Sequence, residues 1–321
     1  MRNPGMTVPL PATLAEQGPL LRELVELGYT EAWSSEANGA DAFTPLVLAS
    51  VHAPELRLGT AIVPAYTRGP ALFAQSVASI ASAAPGKFAL GIGSSSNVIV
   101  EHWNGIPFAE PYKQTRDMTR FLRVALTGEK VTEDYETFSV KGFRLGIEAP
   151  AQPVPILIAG LREGMLRLAG REGDGAIINW LSADDVTRVA GVVKDQGDNK
   201  EIVARIFVCP NPDRETVLAQ AKRAIAAYVN VPVYRAFHEW MGRTDLLGKH
   251  WELWDAGDRA GSIEAMPDEV VDQLIVHGTP EQCRAHIDRY MDNGVTTSAL
   301  MVMPFGGIDT MDAIRALAPN S

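Results

Sequence analysis

The residues best suited to holding a ligand or moving a proton fall in a few short segments. Gly91-Ile92-Gly93-Ser94-Ser95-Ser96-Asn97 joins glycines to consecutive serines. Glycine lets the backbone approach a ligand closely, and serine hydroxyls with exposed amides can bind phosphate oxygens. Read alone, the run is equally a polar loop. Gly160-Leu161-Arg162 precedes a helical stretch beginning at Glu163. The first amides of a helix favour an anion, and Arg162 can add a charge-assisted contact or remain a solvated surface arginine. Glu36, in Ser35-Glu36-Ala37-Asn38-Gly39-Ala40-Asp41, stands where a general acid or a cofactor contact can lie. Asp41 is better read as a cap for the next helix. Arg68 either reaches the same region or closes a turn. His102 alone among the six histidines falls near the serine run, as a proton carrier or a structural hydrogen-bonding residue. No HExxH, nucleophile elbow or cysteine-nucleophile context is present, and the two cysteines, Cys209 and Cys283, fit no metal spacing. A site with so few acids, bases and metal ligands implies a bound cofactor that supplies the chemistry.

These segments follow short apolar runs that read as strands: Met6–Leu10, Thr30–Ser34, Leu56–Val63, Lys87–Ile92, Val154–Ala159, Gly175–Trp180, Glu201–Val208 and Thr296–Met303. Several are continuously apolar, as parallel strands covered on both faces are. Helical patterns lie between them. Thr279-Pro280-Glu281-Gln282 predicts a capped helix start, and Cys283, Ile287, Tyr290 and Met291 its apolar face. Such alternation fits a closed barrel or an open doubly wound sheet. No GxGxxG follows the first strand, which favours an α/β fold of the (β/α)8 TIM-barrel type with its site at the C-terminal strand ends. Trp33 is expected inside that barrel.

The 321 residues fit one such domain, residues 1–321, with two excursions. Residues 129–153 alternate as a small hairpin does. Residues 230–267 carry Tyr234, Phe237, Trp240, Trp251 and Trp254, which either wall a pocket or pack as extra helices.

Hydrophobic content of 46% and charged content of 21% are those of a globular protein. A net charge of −10 without any Lys/Arg block argues against nucleic acid or a membrane surface as partner, and for a small-molecule substrate. Sparse cysteine and the absence of a basic-then-apolar stretch in Met1 to Pro11 predict a cytoplasmic protein. An acidic surface rich in apolar residues would tolerate a homodimer.

Beyond these readings, the chain resembles the luciferase-like monooxygenase family, in its branch that uses the deazaflavin coenzyme F420. The most specific stretch is LGIGSSSNVIVEHWNGIPFAEPYKQTRDMTRFLRVALTGEKV, from Leu90 to Val131. PILIAGLREGMLRLAGREGDGAIINWL and PDEVVDQLIVHGTPEQCRAHIDRYMDNGV support it. The resemblance implies a deazaflavin ring at the end of the third strand, beside a non-proline cis peptide at Ala61-Ile62. It implies a phosphate-bearing tail across Ser94, Ser95, Ser96, Asn97 and Val98 and the helix start at Gly160-Leu161-Arg162, with Gly93 at the base of that loop. Asn179 and Trp180 match a further part of the site, although Trp180 equally suits barrel packing. The implied reaction is hydride transfer at the deazaflavin C5, with Glu36 or His102 handling the accompanying proton. The loop from Ser34 to Asp41 holds no histidine, unlike that of several oxygen-activating relatives, which favours an oxidoreductase over a monooxygenase. The alternatives are an FMN-dependent monooxygenase and a non-catalytic deazaflavin carrier or sensor.

Overall fold

The computed structural model describes residues 3–320. The strands Pro4–Thr7 (β1), Glu31–Ser34 (β2), Arg57–Thr60 (β3), Phe88–Gly93 (β4), Ile156–Ala159 (β5), Gly175–Asn179 (β6), Glu201–Cys209 (β7) and Thr297–Val302 (β8) pair in parallel, each with the next. β1 also pairs with β8, at Pro4↔Ser298 through Met6↔Leu300, so the sheet closes on itself as a TIM barrel.

Helices Gln17–Glu26 (α1), Thr44–His52 (α2), Pro70–Ala83 (α3), Pro111–Ala125 (α4), Glu163–Glu172 (α5), Asp185–Lys194 (α6) and Arg214–Val229 (α7) follow the first seven strands in turn. Their apolar faces and the outward faces of the strands form the main core, which includes Leu24, Leu46, Val77, Phe121 and Leu166. Inside the barrel, Trp33, Ala61, Ala89, Leu157, Ile177, Val203 and Ala299 form a separate cluster. One tryptophan fills much of this space because its neighbours are small. A Cβ on Gly59 would lie 2.2 Å from the Trp33 ring. Below it, Trp33 Nε1 donates to Glu31 (2.9 Å), and Arg57 reaches both Glu31 (3.3 Å) and Glu201 (2.7 Å). Burial pushes the Glu31 carboxyl above its usual range despite Arg57.

The predicted third strand is interrupted. Pairing of β3 stops at Thr60, and the Ala61-Ile62 peptide is cis, where the resemblance implied one. The Thr60 hydroxyl then takes over the ladder: Gly91 N donates to Oγ1 (2.8 Å), which donates to Gly91 O (2.9 Å). A Cβ on Gly91 would meet Thr60 O at 1.8 Å, so the first glycine of the serine-rich run is a packing requirement.

Both excursions are present. Val131–Asp134 and Ser139–Phe143 pair as an antiparallel hairpin whose Tyr135, Phe138 and Phe143 pack on Phe121. The second is helical: Pro232–Trp240 (α8), Thr244–Asp255 (α9) and Arg259–Glu264 (α10). Leu247 and Trp251 of α9 join Val217, Ile225 and Val229 of α7 in a second core. Helix Asp268–Leu274 (α11) leads to a short Val276–His277 pairing on β7 and to Pro280–Asp292 (α12), whose Thr279–Gln282 capping box forms as expected. Thr310–Ala316 (α13) ends the order of elements. Among the described residues, no helix is long and apolar enough to cross a membrane.

Candidate active site

A cavity of about 670 Å³ opens at the C-terminal ends of the barrel strands, within the size range of cofactor and small-molecule sites. The β2 and β3 ends form one side. Ala61 N donates to Ser34 O (2.6 Å) and Glu36 N to Ile62 O (3.1 Å), so the cis segment and the Glu36 loop hold each other. The Glu36 carboxylate accepts from Arg68 (2.7 and 2.8 Å), Thr67 (3.2 Å) and Ala42 N (3.3 Å). Arg68 also lies over the Phe43 ring, 5.0 Å from its centroid. Asp41 accepts from Phe43 N (2.9 Å) and Thr44 N (3.1 Å); it stands two residues ahead of Phe43, the N-cap of α2, so it closes the turn into the helix rather than capping it as expected. Burial raises its carboxyl, but the Thr44 hydroxyl and these amides hold it below the usual range.

The β4 and β5 ends form the opposite rim. Ser94, Ser95 and Ser96 line the cavity, and Ser95 adopts a left-handed conformation (φ 62°). Ser96 Oγ accepts from Ile99 N (3.3 Å), which starts the π-helical turn Val98–Trp103. Across the rim, Gly160, Leu161 and Arg162 lead into α5. Arg162 provides no side-chain cap, which leaves the first-turn amides of Glu163, Gly164 and Met165 open to the cavity they line.

The third side comes from β6, β7 and the α7–α8 region. Asn179 Nδ2 donates to the Tyr234 hydroxyl (3.2 Å), while Asn179 Oδ1 is buried without a partner. Burial pushes the Tyr234 hydroxyl up to about 12, so it stays protonated at neutral pH. Tyr228 meets Tyr234 edge-on, at 5.7 Å and 90°. Val231, Val233 and Trp240 complete the wall, and Arg205 reaches the cavity from β7. The aromatic excursion therefore does two jobs: α8 walls the cavity and α9 packs on α7.

Of the residues singled out from sequence, Glu36, Ala61, Ile62, Ser94, Ser95, Ser96, Gly160, Leu161, Arg162 and Asn179 meet in this lining. Gly93 is buried at the end of β4, and Asn97 and Val98 are exposed on the outer side of the turn. Trp180 is buried against Phe207 (4.0 Å) and Tyr228 (4.5 Å), behind the lining rather than in it. His102 lies on the exposed face of the π-helical turn, outside the lining. Sequence reasoning missed Arg205, Tyr112 and the specific roles of Tyr228 and Tyr234. Arg205 had a signal, a lone cation inside the apolar run EIVARIFVC.

The model of the luciferase-like monooxygenase family matches residues 1–297. The chain belongs to that family. Among curated proteins, this luciferase-like chain is 27% identical to 5,10-methylenetetrahydromethanopterin reductase of Methanolobus tindarius, with 84% of each chain covered. It is 25% identical, over 91% of each chain, to a Mycobacterium tuberculosis protein named as a coenzyme F420-dependent oxidoreductase. Among solved structures, the coenzyme F420-dependent tetrahydromethanopterin reductase of Methanopyrus kandleri superposes with a TM-score of 0.81 at 18% identity, covering 99% of this chain and 98% of that one. At that identity the likeness is one of fold.

Proposed function

We propose that this luciferase-like chain is a coenzyme F420-dependent oxidoreductase acting on a small organic substrate. The observation that carries the reading is the division of the cavity. One rim offers serine hydroxyls, uncapped helix amides and Arg162, the donor set that a phosphate-bearing tail needs. The remaining walls include Ala61, Ile62, Ile177, Tyr234 and Trp240, apolar and aromatic surface that suits a flat ring. The F420-dependent relatives support the same cofactor. When bound, the deazaflavin supplies a ring carbon that accepts or donates hydride.

The chain itself binds, orients and handles a proton. Ser94–Ser96, Gly160, Leu161 and the start of α5 would hold the tail, Ala61 and Ile62 would meet the ring, and Asn179 would lie between the ring and the substrate. Glu36 lines the cavity with its carboxylate fixed by Arg68, so it is the proposed proton-handling group in preference to His102.

The test is a titration of purified protein with coenzyme F420 and, separately, with FMN, following cofactor fluorescence. Saturable binding of F420 and none of FMN over the same range is expected. Binding of FMN alone would overturn the reading in favour of an FMN-dependent monooxygenase. F420 binding without hydride exchange to any donor or acceptor would favour a carrier.

A further inference from the structure

The barrel places a guanidinium at the cavity and, among the described residues, sets no carboxylate against it. Arg205 lies on β7 two residues beyond Val203, a member of the cluster inside the barrel. With a period of two along a strand, Arg205 also points inward, one layer nearer the C-terminal mouth. It pairs in register with Asn179 on β6 and Ala299 on β8, and it lines the cavity. Among the described residues its side-chain hydrogen bond is from Nη2 to the Met301 sulfur (3.0 Å), a weak acceptor, and its guanidinium sits 5.7 Å from the Phe207 ring centroid.

Other enclosed arginines of this chain are paired. Arg57 has Glu31 and Glu201, Arg68 has Glu36, and Arg243 has Asp185 at 2.7 Å. Among the described residues, no carboxylate lies within ion-pair distance of Arg205. Burial draws its guanidinium below the usual arginine value, with only the hydroxyls of Tyr234 and Tyr228 opposing. A cation enclosed without a partner is costly unless something else supplies the charge. Beside it, Asn179 Oδ1 is an unused acceptor. The open face of this group is the cavity.

We propose that Arg205 binds a carboxylate of the organic substrate, so that the enzyme acts on a small carboxylic acid. A carboxylate matches the guanidinium fork with two parallel hydrogen bonds, and it restores neutrality where the barrel has none. Asn179 Oδ1 would accept from a hydroxyl or amine next to that carboxylate. Tyr228 and Tyr234 would cover the apolar part. The proposal rests on the reading of this cavity as a cofactor-and-substrate site, but its test is separable from F420 binding.

Calorimetric titration with benzoate, and with benzamide as its neutral counterpart, is run on cofactor-free and on F420-loaded protein. Benzoate binding to both forms is expected, with benzamide weaker by about tenfold or more. Arg205→Met should lose benzoate by about the same factor, and Arg205→Lys, which keeps the charge without the fork, should retain part of it. Equal binding of benzoate and benzamide, or unchanged benzoate binding by Arg205→Met, overturns the proposal. So does loss of benzoate on loading F420, because Arg205 then faces the cofactor. If F420 fails to bind while benzoate still depends on Arg205, the carboxylate site stands and the F420 reading falls. Thermal melting supplies a further arm: removing an unpaired enclosed cation leaves Arg205→Met as stable as the parent or more so.

Discussion

Both carboxylate oxygens of Glu36 lie within hydrogen-bond distance of a single nitrogen, Nη1 of Arg68, at 2.8 and 2.7 Å. The pair bridges the β2 and β3 ends at the edge of the cavity, with side-chain exposures of 16% and 15%. Glu36→Gln keeps the shape and one acceptor but removes the charge opposite Arg68, whose other carboxylate neighbour, Asp41, is 3.9 Å away. Stability should fall by about 1–3 kcal/mol, read from denaturant melts. F420 should still bind while turnover collapses. Unchanged turnover in a variant that still binds F420 would remove Glu36 from any proton-handling role.

Arg162 stands at the opposite rim, exposed at the N-terminus of α5. A charge there matters to a phosphate and not to a ring. Arg162→Ala should weaken F420 by about 0.3–1 kcal/mol, a few-fold in Kd, and the weakening should shrink at high salt. The phosphate-free deazaflavin core should bind variant and parent alike. Equal losses for both ligands would show that Arg162 does not meet the tail.

The barrel was legible because parallel strands covered on both faces must be apolar along their length, and eight such runs recur between helical patterns. The capping box at Thr279 was legible because its hydrogen bonds are local. The site was harder to read. Glu36, Ser94 and Arg162 follow strand ends and could be found by position. Tyr228 and Tyr234 reach the cavity only through the packing of α7 and α8, which no local pattern encodes. His102 looked close to the serine run in sequence, yet the π-helical turn carries it to the outer face. Arg205 is hard to single out because the run around it, EIVARIFVC, is so plainly a strand. The charge that breaks such a pattern is itself the clue.

Trp33 and Gly59 form one packing unit, since the ring occupies the space a Cβ on Gly59 would need. Gly59→Ala should destabilise by about 1–3 kcal/mol through overpacking. Trp33→Ala should cost about 3–5 kcal/mol through the void it leaves. Combined, the methyl enters that void, so the double variant should be more stable than the sum of the two losses predicts. Strict additivity in a denaturant double-mutant cycle would contradict the close approach.

His238 lies on α8, the helix whose Tyr234 and Trp240 line the cavity, and is itself behind that lining. Its side chain is fully buried, and among the described residues neither ring nitrogen has a hydrogen-bond partner. Burial, and then the charge of Arg243, lower it from 6.5 to about 4, with Asp185 opposing. The folded protein therefore holds the ring neutral where the unfolded chain protonates it. The contribution of this group to stability is fully present above about pH 6.5 and is lost as pH falls toward about 4, amounting to about 3 kcal/mol. His238→Leu removes the linkage without opening the wall. Melting temperature plotted against pH should then fall less steeply across that window than in the parent. Parallel curves for the two proteins would mean that His238 takes up its proton as readily in the folded chain as in the unfolded one.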